Sequence, residues 1–187
     1  MRGRNLANPL VAEATNSIFF TTKKSDLCIF LSYTREDREA VEKLGDYIQN
    51  AGVDIYLDIY DLELQQAVRN EDPIAITQSI ERGLSFATNV ICVVSEETVN
   101  SWWVPYEIGF GKRAEKPLAT LTLKDTVTIP SYLEITQMIR GTRSLNEYLI
   151  EISKQSRILL EAASTFINMN QYSNHNHPLD YILEWEN

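Results

Sequence analysis

Four short, mostly apolar segments constrain the fold of this 187-residue chain more than any other feature. They are LCIFLSY at 27–33, VDIYL at 53–57, NVICVV at 89–94 and LATLTL at 118–123. Their length and their β-branched and aromatic content favour strands that are covered on both faces. Segments with helical spacing of apolar residues separate them. Such alternation predicts a parallel α/β sheet with helices on both sides.

The remaining elements follow from spacing and end signals. A fifth strand is predicted near Glu134–Ile139, and residues 58–72 are predicted to form a long acidic loop. Four helices are predicted. The first runs from a cap at Thr34 to Gly52, and the second begins at Pro73 and has apolar positions at Ile74, Ile76, Ile80 and Leu84. The third runs from Trp102 to Ala114 after a cap at Ser101, and the last from Asn146 to Phe166.

The chain is predicted to contain one domain over residues 26–163, with an N-terminal extension at 1–25 and a polar C-terminal tail at 164–187. The tail holds both histidines, His175 and His177, which we predict to be solvated. Its last apolar residues, near Trp185, are expected to dock on the domain.

Charge and composition exclude several classes of function. The chain has 17 Lys and Arg against 26 Asp and Glu, a net charge of −9, so we expect no nucleic-acid or membrane partner. No window reaches the roughly 18 apolar residues of a membrane span. Cys28 and Cys92 both lie in apolar segments and are interpreted as core residues. Two such cysteines indicate a protein of a reducing compartment. The predicted location is the cytoplasm.

Motifs for phosphate loops, metal sites and serine hydrolases are missing from the sequence. There is no GxGxxG, GxxxxGK[ST], HExxH, paired CxxC or GxSxG. A Rossmann dehydrogenase, a P-loop enzyme and metal catalysis are therefore disfavoured, and we predict no metal and no cofactor.

In a parallel α/β sheet, ligands bind beyond the carboxyl ends of the strands. The candidate segments are therefore Ser32–Arg35, Leu57–Glu63 and Ser95–Glu107. In the last, Trp103 and Glu107 are four residues apart on one helix and share a face. A carboxylate beside indoles in a cleft can have a raised pKa and strong hydrogen bonds. The alternative is that the tryptophan packs in the core and Glu107 is a solvated helix residue.

Three segments in order resemble the Toll/interleukin-1 receptor (TIR) domain family. FLSYTRED at 30–37 looks like box 1, and GVDIYLDIYDLEL at 52–64 is similar to the second strand and BB loop. SWWVPYEIGFG at 101–111 resembles the helix that carries the catalytic glutamate of enzymatic TIR domains, with a WxxxE pattern. The resemblance covers roughly residues 27–160. It implies a flavodoxin-like three-layer sandwich with a central parallel sheet of about five strands.

The resemblance also implies an activity and a set of site residues. Bacterial TIR proteins of antiphage defence, such as the TIR subunit of Thoeris systems, cleave the nicotinamide–ribose bond of NAD, and Glu107 matches the catalytic glutamate. NAD would be the substrate, and the product an ADP-ribose-type nucleotide, linear or cyclic, that signals to a separate effector protein. The positions that match the family's substrate pocket are Ser32, Tyr33, Arg35, Asp58, Ser95 and Trp103.

Several of these positions, and the neighbouring Glu63, have an ordinary structural alternative. Arg35 could meet the diphosphate or be a surface charge, and Asp58 and Glu63 could serve only loop solubility. Ser95 could bond ribose or cap the next segment, and Trp103 could stack on a base or pack in the core. In the family the BB loop often joins head-to-tail assemblies, and such heterologous contacts propagate filaments.

Two other functions compete with an NAD glycohydrolase or cyclase. One is a non-catalytic TIR adaptor that only binds proteins, which would not need a carboxylate at position 107. The other is a different N-glycosidase on the same sheet, resembling nucleoside deoxyribosyltransferases, against which the BB-loop-like segment counts.

Overall fold

A parallel sheet of five strands forms the centre of the described chain, in the order β2-β1-β3-β4-β5. The computed structural model describes residues 2–8, 27–126, 128–155 and 177–186. The strands are β1 Cys28–Ser32, β2 Asp54–Tyr56, β3 Asn89–Val94, β4 Leu118–Thr122 and β5 Gln137–Ile139. The helices are α1 Arg38–Asn50, α2 Leu62–Arg69, α3 Pro73–Phe86, α4 Trp103–Arg113 and α5 Thr142–Gln155.

Helices cover both faces of the sheet, so the molecule has three layers. On one face, Leu44 of α1 and Leu149 of α5 pack against β1 and β3 in one apolar cluster. On the other face, Leu84 of α3 and Ile108 of α4 belong to a second cluster with Cys92. The flavodoxin-like α/β sandwich predicted from the sequence is confirmed. Because the three central strands are buried on both sides, their sequences are almost uniformly apolar.

Two local predictions for the segment that follows β2 and for α3 were wrong. The predicted acidic loop contains α2, which begins after Asp61, whose carboxylate accepts a hydrogen bond from the Leu64 backbone N–H at 3.0 Å. In α3, Pro73 occupies the first turn as predicted, but Ile74 is 69% exposed rather than part of the core.

Two helix starts also differ from the prediction. Thr34 does not cap α1: its hydroxyl donates to the Asp37 carboxylate at 2.8 Å, and a 3₁₀ turn at Arg35–Asp37 precedes the helix. The final helix begins at Thr142, four residues before the predicted Asn146. The predicted end of this helix at Phe166 lies outside the described residues, as do the predicted domain boundaries near residues 26 and 163.

The first residues of the chain lie along the free edge of β2. Asn5 pairs with Ile55 in a parallel bridge, and the Ile55 backbone N–H donates to the Arg4 carbonyl at 2.9 Å. The Arg4 guanidinium also donates to the Asp54 carboxylate at 2.8 Å. This part of the N-terminal extension therefore satisfies backbone groups that an edge strand would otherwise expose.

The last described residues dock against α1 and α5. Contrary to the prediction, His177 is not solvated, and His175 lies outside the described residues. His177 is buried: its Nδ1 accepts from the Leu179 N–H at 3.1 Å, and its Nε2 lies 3.1 Å from the Tyr47 hydroxyl. The Tyr47 hydroxyl donates to Asn146 Oδ1 at 2.6 Å. Since Nδ1 accepts a hydrogen bond, the proton of the neutral ring lies on Nε2 and points at Tyr47. Burial lowers the pKa of His177, and the Asp180 charge opposes this only in part.

The docking of this segment should weaken in acid because of His177. The folded pKa lies below the unfolded value of about 6.5, so its contribution to stability is complete above about pH 6.5 and is lost as the pH falls through the folded pKa. We expect the difference in free energy of unfolding between wild type and His177→Gln to shrink from pH 8 to pH 5 in urea titrations. A difference that stays constant across this range would contradict the role of His177. Because wild type and His177→Gln share all other titrating groups, the effects of those groups cancel in the difference.

Candidate functional site

Glu107 lies buried at the carboxyl ends of the central strands. It is in the second turn of α4. The N-cap of this helix is Trp102 rather than the predicted Ser101, although Ser101 Oγ accepts from the Val104 N–H at 3.2 Å. Only 6% of Glu107 is exposed, and its Oε2 accepts a hydrogen bond of 2.5 Å from Ser32 Oγ at the end of β1. The two residues are 75 positions apart in the sequence, so the fold brings them together.

The environment of Glu107 disfavours its charged form. Burial raises its pKa, the Asp58 charge raises it further, and the Ser32 hydrogen bond opposes both, which leaves the pKa at about 8. The side chain is therefore mostly protonated at neutral pH. A carboxyl group whose pKa is moved to this range can act in either protonation state near physiological pH.

Tyr33 and Asp58 form a second pair beside Glu107. The Tyr33 hydroxyl donates to Asp58 Oδ1 at 2.7 Å. Burial raises the pKa of Asp58, while the Tyr33 hydrogen bond lowers it. Burial and the neighbouring carboxylate also raise the pKa of the Tyr33 phenol. Both predicted site residues thus line the region near Glu107, but each is already the other's hydrogen-bond partner.

Ser95 and Asp37 connect the ends of β1 and β3. The Ser95 hydroxyl donates to Asp37 Oδ2 at 2.7 Å and accepts from the Glu97 N–H at 3.1 Å, so it caps the 3₁₀ turn at Glu96–Asn100. The Thr34 hydroxyl donates to the same oxygen of Asp37. Of the two alternatives for Ser95, the structure shows the capping contact.

Trp103 and Arg35 lie farther out on the rim. Trp103 is 39% exposed and makes an edge-to-face contact with Tyr106, with ring centroids 6.0 Å apart. Its neighbour Trp102 is 91% exposed. Arg35 is exposed and makes no ion pair with any residue in the described part of the chain. The structure therefore brings together Ser32, Tyr33, Asp58 and Glu107, and leaves Trp103 and Arg35 at the surface.

Three residues near the site were not singled out for it from the sequence. Cys92 lies opposite Ser32 in the β1–β3 register, and burial and the Glu107 charge raise the pKa of its thiol. Asp37 holds the two hydroxyls described above. Tyr132 lies between β4 and β5 in a 3₁₀ turn at Ser131–Leu133, where burial and the Glu107 charge raise the pKa of its phenol. The rule that functional residues follow strands would have found Tyr132 had it been applied to β4 as well.

Some kinds of site find no support in the described residues. No group of three His, Cys, Asp or Glu side chains is arranged there to hold a metal ion. None of the helices within the described ranges combines the length and apolar character needed to cross a membrane.

Comparisons with known proteins agree with the fold. The family model described as TIR domain matches residues 29–151. Among solved structures, the chain is similar to the TIR domain of the Toll-related receptor TRR-2 from Hydra magnipapillata, with a TM-score of 0.52 and 14% identity. That match covers 69% of this chain and 97% of the Hydra chain. A search of curated proteins found no match. The chain belongs to the TIR domain family.

Proposed function

We propose that this TIR domain cleaves the nicotinamide–ribose bond of NAD and releases an ADP-ribose-type nucleotide, linear or cyclic, as a signal in antiphage defence of the Thoeris kind. The observation that supports this most is the buried Glu107 carboxyl, held by Ser32 at the carboxyl ends of the strands. A protein that only binds other proteins gains nothing from a buried carboxyl group with a raised pKa at this position.

The chemistry needs a carboxylate and no general acid for the leaving group. Nicotinamide is cationic in NAD, so the C1′–N1 bond breaks with its electron pair going to the ring nitrogen, and neutral nicotinamide leaves. Positive charge then develops at C1′ and the ring oxygen, as in other glycosyl transfers. The Glu107 carboxylate would stabilise this charge and hydrogen-bond a ribose hydroxyl.

The acceptor at C1′ decides the product. Water attacks to give ADP-ribose and a proton, whereas an internal hydroxyl or an adenine nitrogen gives a cyclic nucleotide. Excluding water from the site favours the cyclic product. NAD is the substrate in this scheme and no cofactor takes part. A separate effector protein would respond to the nucleotide.

The raised pKa of Glu107 fits a substrate that carries a positive charge at the reacting end. A cation beside a carboxyl group favours its ionised form. Bound NAD would therefore lower the pKa of Glu107 and help to generate the carboxylate that stabilises the transition state. Because Glu107 is only 6% exposed, contact with NAD also requires side chains at the rim to move.

A second candidate function, a non-catalytic interaction module, is favoured by exposed apolar residues in the BB-loop-like segment. Tyr60 and Leu62 follow β2, and Leu62 is 58% exposed. Exposed apolar side chains of this kind often mark protein-binding sites. The two candidates are compatible, because we also propose head-to-tail self-assembly of this domain through that segment.

Substitution of Glu107 tests the catalytic proposal. Glu107→Gln keeps the size and a hydrogen-bonding oxygen but removes the negative charge, so we expect NAD cleavage to fall by at least about 100-fold. Mass spectrometry of NAD, nicotinamide and ADP-ribose products measures the change. The matched control is Glu39→Gln, an exposed glutamate on α1 that forms an ion pair with Lys43. Equal turnover by wild type and Glu107→Gln would exclude a catalytic role for this residue. Intact NAD with concentrated, assembled wild type would favour the interaction module.

The pH dependence tests the state of the carboxyl group. The profile of kcat/KM reports groups of the free enzyme, so we expect it to fall as the pH drops below about 8. The corresponding limb of kcat should lie at lower pH because bound NAD favours the carboxylate. Since the Ser32 hydrogen bond lowers the pKa of Glu107, Ser32→Ala should move the kcat/KM limb to higher pH. An unchanged limb in Ser32→Ala would show that another group controls the profile.

Self-assembly should depend on Leu62 if the BB-loop-like segment forms the contact. We expect Leu62→Gln to shift concentration-dependent association to protein concentrations at least about 10-fold higher, because a buried leucine contributes about 1.5–3 kcal/mol at an interface. Analytical ultracentrifugation over a concentration series measures this. Ile135→Gln is the matched control, since Ile135 is 64% exposed but lies between β4 and β5. Equal effects of both substitutions would place the contact elsewhere.

A further inference from the structure

The Tyr132 hydroxyl is buried and makes no hydrogen bond with any residue in the described ranges. Tyr132 belongs to the 3₁₀ turn between β4 and β5, and its ring packs against the apolar cluster that includes Val104 and Ile108 of α4. A buried hydroxyl without a partner typically costs about 1–3 kcal/mol. Phenylalanine would fill the same space without this cost, so apolar packing does not explain the hydroxyl.

Tyr132 and Glu107 lie on the same face of the sheet, close enough for the Glu107 charge to act on the phenol. The turn that carries it lies on the same face of the sheet as α4, and Leu133 beside it is fully buried in the same cluster as Cys92. Burial raises the pKa of Tyr132 to about 12, and the Glu107 charge acts in the same direction. Its phenol thus remains a hydrogen-bond donor throughout the range in which Glu107 titrates.

The other groups around Glu107 offer its carboxylate little support. Ser32 donates to one oxygen, Oε2. Tyr33 has its hydroxyl committed to Asp58, and the Asp58 charge itself disfavours a second anion nearby. The Cys92 thiol is kept neutral by burial and by Glu107. An ionised carboxylate has room for several donors, and Tyr132 is a donor on this side with no other partner in the described structure.

We propose that Tyr132 is a positioning residue for Glu107: its hydroxyl donates to the carboxylate oxygen that Ser32 does not hold when Glu107 is ionised. The hydrogen bond forms as the proton leaves Glu107, so it stabilises the charged form and fixes the plane of the carboxylate toward C1′. This role rests on the proposed function for its catalytic meaning, but the contact itself is a property of the protein without substrate.

The test is a titration of Glu107 in the full-length protein. Carbon-13 labelling of glutamate carboxyl groups allows NMR detection, and Glu107→Gln identifies the resonance. We expect Tyr132→Phe to raise the pKa of Glu107 by about one unit, because a hydrogen bond to the charged form is lost. Tyr148→Phe is the matched control, a buried tyrosine of α5 on the opposite face of the sheet, and should leave the titration unchanged.

Two further measurements separate positioning from a structural role. Removing an unpartnered hydroxyl should leave the melting temperature of Tyr132→Phe equal to or above that of wild type. In the NAD assay, the same variant should lose about 10-fold in kcat with KM nearly unchanged. A Glu107 pKa that is the same in wild type and Tyr132→Phe, or that moves equally in Tyr148→Phe, would overturn the proposal. If Tyr132→Phe shifts the pKa of Glu107 but the wild-type protein leaves NAD intact, the contact is supported and the proposed function is rejected.

Discussion

The hydrogen bond between Ser32 and Glu107 is the interaction around which the site is organised. It joins the end of β1 to α4 across 75 residues of sequence, in a place from which water is almost excluded. No cation in the described structure compensates Glu107, so its charged form is destabilised by burial.

The folded pKa of Glu107, about 8, lies above the unfolded value of about 4.3. The neutral carboxyl group therefore contributes its full stability below the unfolded pKa of about 4.3, and this contribution is lost as the pH rises through the folded pKa of about 8. Near neutral pH the protein carries a cost that a leucine at this position would avoid.

The polar groups around Glu107 are bonded mostly to one another. Tyr33 is paired with Asp58, and Ser95 with Asp37, which also holds Thr34. These contacts join the ends of β1, β2 and β3 and keep the rim in one arrangement. A ligand that uses these side chains must exchange such internal hydrogen bonds for its own, which yields little net free energy per bond. Binding of a nucleotide would therefore depend more on stacking and on charge than on the number of hydrogen bonds.

The sequence predicted the sheet well because burial on both faces makes the central strands β1 and β3 almost uniformly apolar. Helix α2 was missed because it is only eight residues long and buries only Leu64 and Ala67. The burial of His177 had no sequence signal, because Tyr47, the partner of its Nε2, lies 130 residues away. At the site, order along the chain placed Ser32, Asp58 and Glu107 at neighbouring strand ends. It could not show that Trp103 lies on the rim, since rotation of a helix about its axis depends on packing.

The charges around the site are distributed unevenly, with carboxyl groups at the strand ends and an arginine at the rim. Glu107, Asp58 and Asp37 lie around the strand ends, and the exposed Arg35 follows β1 at the rim. For NAD, such a distribution favours the cationic nicotinamide at the carboxyl groups and the anionic diphosphate toward the arginine. The reverse orientation would place two negative charges beside a buried carboxyl group, which would keep Glu107 protonated. In the proposed reaction, the arrangement that binds best is therefore also the one that ionises Glu107, so recognition and activation depend on the same charges.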